Sequence, residues 1–209
     1  MFAYCNNNPT SACDSTGTFA QYCFAKDENR GGLPYIYDQK DESIGSKPFG
    51  MSNVAHAGCG AVATYNALIT LGAYTSFDDV LGYFNKDSSQ LSVFGWAGSS
   101  TSLIAKYFRD HGYTVRMTDN IDEMDVYSRT ADASILWYAF PATYSFAFIS
   151  VDAFGAHFVE VGQYSYGFVG RNTAEGNGLH TFAWLSDYAY KGDRCYAIGI
   201  FIYKNGGAV

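Results

Sequence analysis

The chain has 209 residues, 48% hydrophobic and 18% aromatic, which supplies ample material for one core and argues against a disordered chain. Its formal charge is −7 and no Lys/Arg cluster interrupts the acidity, so nucleic acid is a poor partner. No apolar run reaches the roughly 18–20 residues needed to span a bilayer.

Residues 1–48 are rich in Asn, Ser, Thr, Gly and Asp and show neither a helical nor a strand period, so they read as an irregular arm that carries Cys5, Cys13 and Cys23. A boundary near Lys47-Pro48 leaves one domain over 49–209. The N-terminus lacks the basic and apolar segments of a secretion signal. If a signal has been removed, the chain is secreted or on the cell surface, which is the preferred reading; otherwise it is cytoplasmic. In an exported chain Cys5, Cys13, Cys23 and Cys195 are free to pair in any of three ways, leaving Cys59 as the thiol.

From Cys59 onward Ala61, Val62, Tyr65, Leu68 and Ile69 share one helical face, with Gly72 as a stop. Ser76-Phe-Asp-Asp79 predicts a capping box, with Asp in place of Glu, opening a short helix with Val80, Leu81 and Phe84. A polar stretch runs to Ser100. Leu103, Ile104, Tyr107 and Phe108 make 101–110 an amphipathic helix ended by Gly112. A strand is expected at 113–117 and a helix at 122–129, followed by strands at 134–140, 145–151, 157–164, 166–171 and 195–203. Helices first and strands second predict an α+β fold, N-terminal helices packed on a C-terminal antiparallel sheet.

Cys59 stands between two glycines at a helix start, where free N–H groups and the helix dipole favour a thiolate and the Cys59 N–H can face an oxyanion. The glycines would let a substrate backbone come close. His157, read as opening a strand after a Gly155-Ala156 turn, is the candidate base. Asn172 ends the next β segment, so a hairpin returns it beside the imidazole, where its side-chain oxygen would fix the tautomer. Singly, each has a plainer reading: a buried small cysteine, a core histidine, a turn-forming asparagine. His56 competes as base from the loop before Cys59, whereas His111 and His180 read as structural. Zinc on His56, Cys59 and Cys195 lacks a second ligand pair at metal-site spacing, so no metal or other cofactor is expected.

These segments resemble the papain-like cysteine peptidases, in the branch similar to bacteriocin-processing leader peptidases. The resemblance spans roughly 49–203. It rests on GCGAVATYNAL at 58–68, SLIAKYFRDHGYTV at 102–115, SILWY at 134–138 and HFVEVGQYSYGFVGRN at 157–172, and on the order Cys, His, Asn. It implies a papain-like catalytic domain acting on a peptide or amide substrate through a thiolate–imidazolium pair and an acyl-enzyme. Where the family carries Gln as its second oxyanion donor, this chain has the shorter Asn53. Gly60 replaces the aromatic that follows the nucleophile in papain, and no fused transporter accompanies the domain, which suggests a stand-alone enzyme. Acyl or peptidyl transfer by the same residues, and an inactive module recognising partners through Trp96, Trp137 and Trp184, are the alternatives.

Overall fold

The computed structural model describes residues 34–73, 75–86, 98–146, 149–164, 167–174 and 178–204. Residues 1–33, with Cys5, Cys13 and Cys23, lie outside the described residues, as does the polar stretch at 87–97 with Trp96.

The described N-terminal part begins with an extended segment, 34–40, and the single turn α1 (Glu42–Gly45), capped by Asp41. A two-residue ladder of β1 (Pro48–Phe49) and β2 (Ser52–Asn53) leads to α2 (Val54–Ala57) and α3 (Cys59–Thr70). Next comes α4 (Phe77–Asn85), whose capping box forms as the sequence predicts: Ser76 accepts from the Asp79 N–H while the Asp79 carboxylate accepts from the Ser76 N–H. Helix α5 (Thr101–Asp110) has the predicted bounds and is capped by Ser100. Cys59 through Ile69 are all buried, so α3 is a central helix and not a surface one.

The rest of the chain builds the sheet: β3 (Thr114–Thr118), α6 (Ile121–Thr130), β4 (Ala133–Phe146), β5 (Ile149–Tyr164), β6 (Gly167–Arg171), β7 (Leu179–Phe182), α7 (Leu185–Ala189) and β8 (Tyr196–Tyr203). The strand order is β3-β8-β4-β5-β6-β7, with every neighbouring pair antiparallel. Helices on an antiparallel sheet are therefore present, as the segregation of patterns predicts. Helices also cover the second face. Ile135, Phe158, Ile200 and Ile202 pack with α3, α4 and α5, whereas Leu136, Tyr138, Val159, Val161 and Phe201 pack with Met124 of α6 and Leu185 and Tyr188 of α7. The alternation along β4 and β5 explains why SILWY and HFVEV read as nearly continuous apolar runs: both faces are buried. Among the described residues no helix is long and apolar enough to cross a membrane.

The expected strand 145–151 is split between two: Ser145 and Phe146 end β4, whereas 149–151 open β5, which runs on through 157–164, so Gly155-Ala156 is not a turn but part of β5. Gly155 lies opposite Phe140, and a Cβ there would come within 2.5 Å of that ring, so the glycine makes room for an aromatic on the facing strand. Pro141 interrupts β4 without cost. The Ala139 carbonyl accepts from Cys195 N–H on the β8 side, so Pro141, two residues on, points its missing donor the same way, past the end of the β8 ladder.

Candidate active site

The site lies where β6 ends. Along β5 the backbone groups alternate between β4 and the opposite side, and the pairing of β5 with β6 stops at Glu160–Arg171. One repeat further, the Phe158 N–H points to the Cys59 thiol at the start of α3. The Gly60 N–H also lies toward the sulfur. Cys59 is 8% exposed. Its burial outweighs those hydrogen bonds and pushes the thiol pKa up, opposite to the lowering expected from a helix N-terminus alone.

The flanking glycines serve packing. A Cβ on Gly58 would lie 2.6 Å from Val54 Cα, and one on Gly60 would lie 2.8 Å from the Ser99 side chain. They seat α3 against α2 and the 98–100 segment, instead of opening the sulfur to a substrate backbone.

His157 is half-buried in the middle of β5, beside Tyr138, its direct cross-strand partner, with ring centroids 5.9 Å apart. The ring thus leans toward the Tyr138 side of β5, while the thiol approaches from the α3 side. Among the described residues no hydrogen bond joins the Cys59 thiol to the His157 ring. Nε2 lies 2.5 Å from the Asn172 backbone carbonyl, so it carries the proton and Nδ1 is the basic atom. Desolvation holds the imidazole pKa below its ordinary value, with the carbonyl acting in the opposite sense. Buried thiol and half-buried imidazole are thus both pushed toward their neutral forms.

Asn172 reaches the imidazole as the sequence expects from a hairpin, but with its carbonyl and not its amide. Its side chain is engaged elsewhere: Oδ1 accepts from the Gln39 N–H at 3.0 Å and Nδ2 donates to Gln39 Oε1 at 3.1 Å. Asn172 has φ +60°, a left-handed conformation that Asn tolerates better than most side chains. Asn53 caps α2, its amide oxygen accepting the His56 N–H at 3.0 Å. His56, His157, Asn172, Lys40 and Gln39 border a cavity of about 580 Å³. Cys195 is exposed and bonded to the Ala139 carbonyl, and among the described residues no group of three metal-ligating side chains comes together.

Gln39 and the Phe158 N–H are the parts the sequence did not reveal. Gln39 lies in a segment without periodicity, and a backbone donor has no residue type to announce it.

No family model and no curated protein matches the chain. Among solved structures it is similar to the peptidase domain of Streptococcus ComA, a bifunctional ABC transporter involved in a quorum-sensing pathway, at 12% identity and a TM-score of 0.42, over 70% of this chain and 91% of that one.

Proposed function

We propose that this chain is a papain-like cysteine-nucleophile hydrolase of peptide or amide bonds, with Cys59 as nucleophile and His157 as base. The observation that carries this reading is the approach of the Phe158 N–H to the Cys59 sulfur. It joins a helix N-terminus to the strand bearing the imidazole, although the two are far apart in sequence.

Burial favours a neutral resting pair, so His157 acts as a general base during attack instead of holding a preformed imidazolium. Nδ1 takes the thiol proton as Sγ bonds to the carbonyl carbon. The oxyanion is held by the Cys59 N–H and the Asn53 amide. Collapse breaks the C–N bond, the imidazolium protonates the leaving amine, and water then attacks the thioester with His157 again as base, breaking the C–S bond to release the acid while the imidazolium returns the proton to the Cys59 sulfur. Asn172 orients the ring through its carbonyl. Catalytic hydrogen bonds are often long in the absence of substrate, and this reading requires the ring to turn toward the sulfur when substrate binds.

The test is hydrolysis of a library of peptide anilides, with acid quenching to trap an acyl group on Cys59 and mass spectrometry to locate it. A Cys59-linked acyl group that disappears in His157→Ala supports the reading. If no peptide is cleaved and Cys59 gives no adduct with peptide chloromethyl ketones, the reading fails and a binding module remains. Addition of a free amine separates hydrolysis from acyl transfer by the product formed.

A further inference from the structure

We infer that Gln39 is a positioning residue of this site, setting the His157 imidazole through Asn172; the inference rests on the reading of His157 as the base. Gln39 is buried, and its polar atoms are spent in two directions. Toward the sheet, its N–H and Oε1 hold both ends of the Asn172 amide, at 3.0 and 3.1 Å. Toward the helices, Nε2 donates to the carbonyls of Val54 at 3.3 Å and Ala55 at 3.0 Å, in the short helix that leads into Cys59. One side chain therefore spans from the element that delivers the nucleophile to the turn that holds the base.

Asn172 is where this matters most. Its left-handed backbone aims the carbonyl at His157 Nε2, and nothing within a five-residue strand end requires that conformation. The paired bonds from Gln39 supply the restraint, fixing the carbonyl, hence the Nε2–H tautomer, hence Nδ1 as the proton acceptor. The segment carrying Gln39 is no loose cover. The Asn66 amide pairs with both the N–H and the carbonyl of Ile36 at 2.8 Å, and the Tyr65 hydroxyl donates to the Pro34 carbonyl. The Tyr35 ring packs 3.9 Å from the Arg171 guanidinium. Releasing the segment would break all of these buried contacts together, so Gln39 belongs to the working site.

The full chain, labelled with ¹⁵N-histidine, tests this by the ring-nitrogen and ring-proton signals of His157 across pH, alongside the rate at which iodoacetamide alkylates Cys59 at neutral pH. Gln39→Met keeps the volume and removes the side-chain hydrogen bonds. It should convert the fixed Nε2–H signal into an average of both tautomers and slow alkylation on the order of tenfold, an effect typical of groups displaced by about an ångström. Asn66→Ala, which loosens the same segment without touching Gln39, should leave the His157 signals unchanged. Wild-type ring signals in Gln39→Met, or an equal change in Asn66→Ala, would overturn the inference. Should Gln39→Met fail to fold by circular dichroism, Gln39→Asn, whose amide is one methylene too short to reach both partners, is read in the same way. His157→Ala separates the two levels: unchanged Cys59 reactivity there removes the base from the proposed reaction, while the ring signals of the Gln39 variants still decide the role of Gln39.

Discussion

Two polar constellations sit one step apart on β5 and differ in how completely they are satisfied. Glu160 and Arg171 face each other across β5 and β6, 0% and 1% exposed at the side chain, with Nη1 to Oε2 at 2.7 Å. Thr70 donates to the other carboxylate oxygen, and the Tyr35 ring stacks on the guanidinium. Next to them, the Cys59 thiol and the His157 ring are held by backbone groups and pushed toward neutrality by burial, and His157 borders a cavity. The first pair is closed by side chains of fixed charge and is structural. The second, on the proposed reading, keeps one basic nitrogen and one transferable proton for proton transfer.

The sharpest way to break that contrast is Glu160→Ala, which leaves a buried guanidinium uncompensated and should cost about 3–5 kcal/mol in urea unfolding. Replacing both partners, Glu160→Leu with Arg171→Met, should recover most of that loss. If the single variant is as stable as wild type, the closed pair is not the structural half of the comparison.

His157 should act through pH. Its folded-state pKa lies below the unfolded value of about 6.5, so its contribution to stability is complete above that pH and is lost as pH falls, by at most about 1.4 kcal/mol per pH unit. The urea midpoint of wild type should therefore drop more between pH 7 and 5 than that of His157→Gln. Cys59, with its pKa raised, has the opposite sign: its contribution is present at neutral pH and lost on the alkaline side. Its alkylation should titrate above the ordinary thiol value of about 8.5.

Ser76→Ala removes half of the α4 capping box and should cost about 1 kcal/mol without changing Cys59 reactivity. Cys59→Ala should change stability least, by less than about 1 kcal/mol, and yet abolish any acyl adduct. A large stability loss there would make the cysteine a packing residue.

Periodicity carried the fold a long way in the sequence. Leu103, Ile104, Tyr107 and Phe108 placed α5 because an amphipathic helix repeats its burial pattern over several turns. The elements α2, β7 and α7 are too short to repeat anything, and β4 and β5 were divided at Pro141-Ala142 and Gly155 because residues that break isolated strands are harmless on an open strand edge or under an aromatic ring. For the site, residue types pointed to Cys59, His157 and Asn172 but not to how they are used. Whether Asn172 offers its amide or its carbonyl depends on Gln39, and whether Cys59 is acidic or basic depends on how deeply α3 is buried. Both are tertiary facts.

The approach of the Phe158 N–H to the sulfur makes Cys59 a rung of the sheet. Where β6 runs out, the next backbone donor of β5 is satisfied by Cys59 instead of a strand carbonyl. Once that sulfur is acylated or alkylated it becomes a poorer acceptor, and the rung weakens. The Phe158 amide proton should therefore report the covalent state of Cys59: slow to exchange with solvent in the unmodified protein and faster once the sulfur is acylated or alkylated, in the same strand that carries His157.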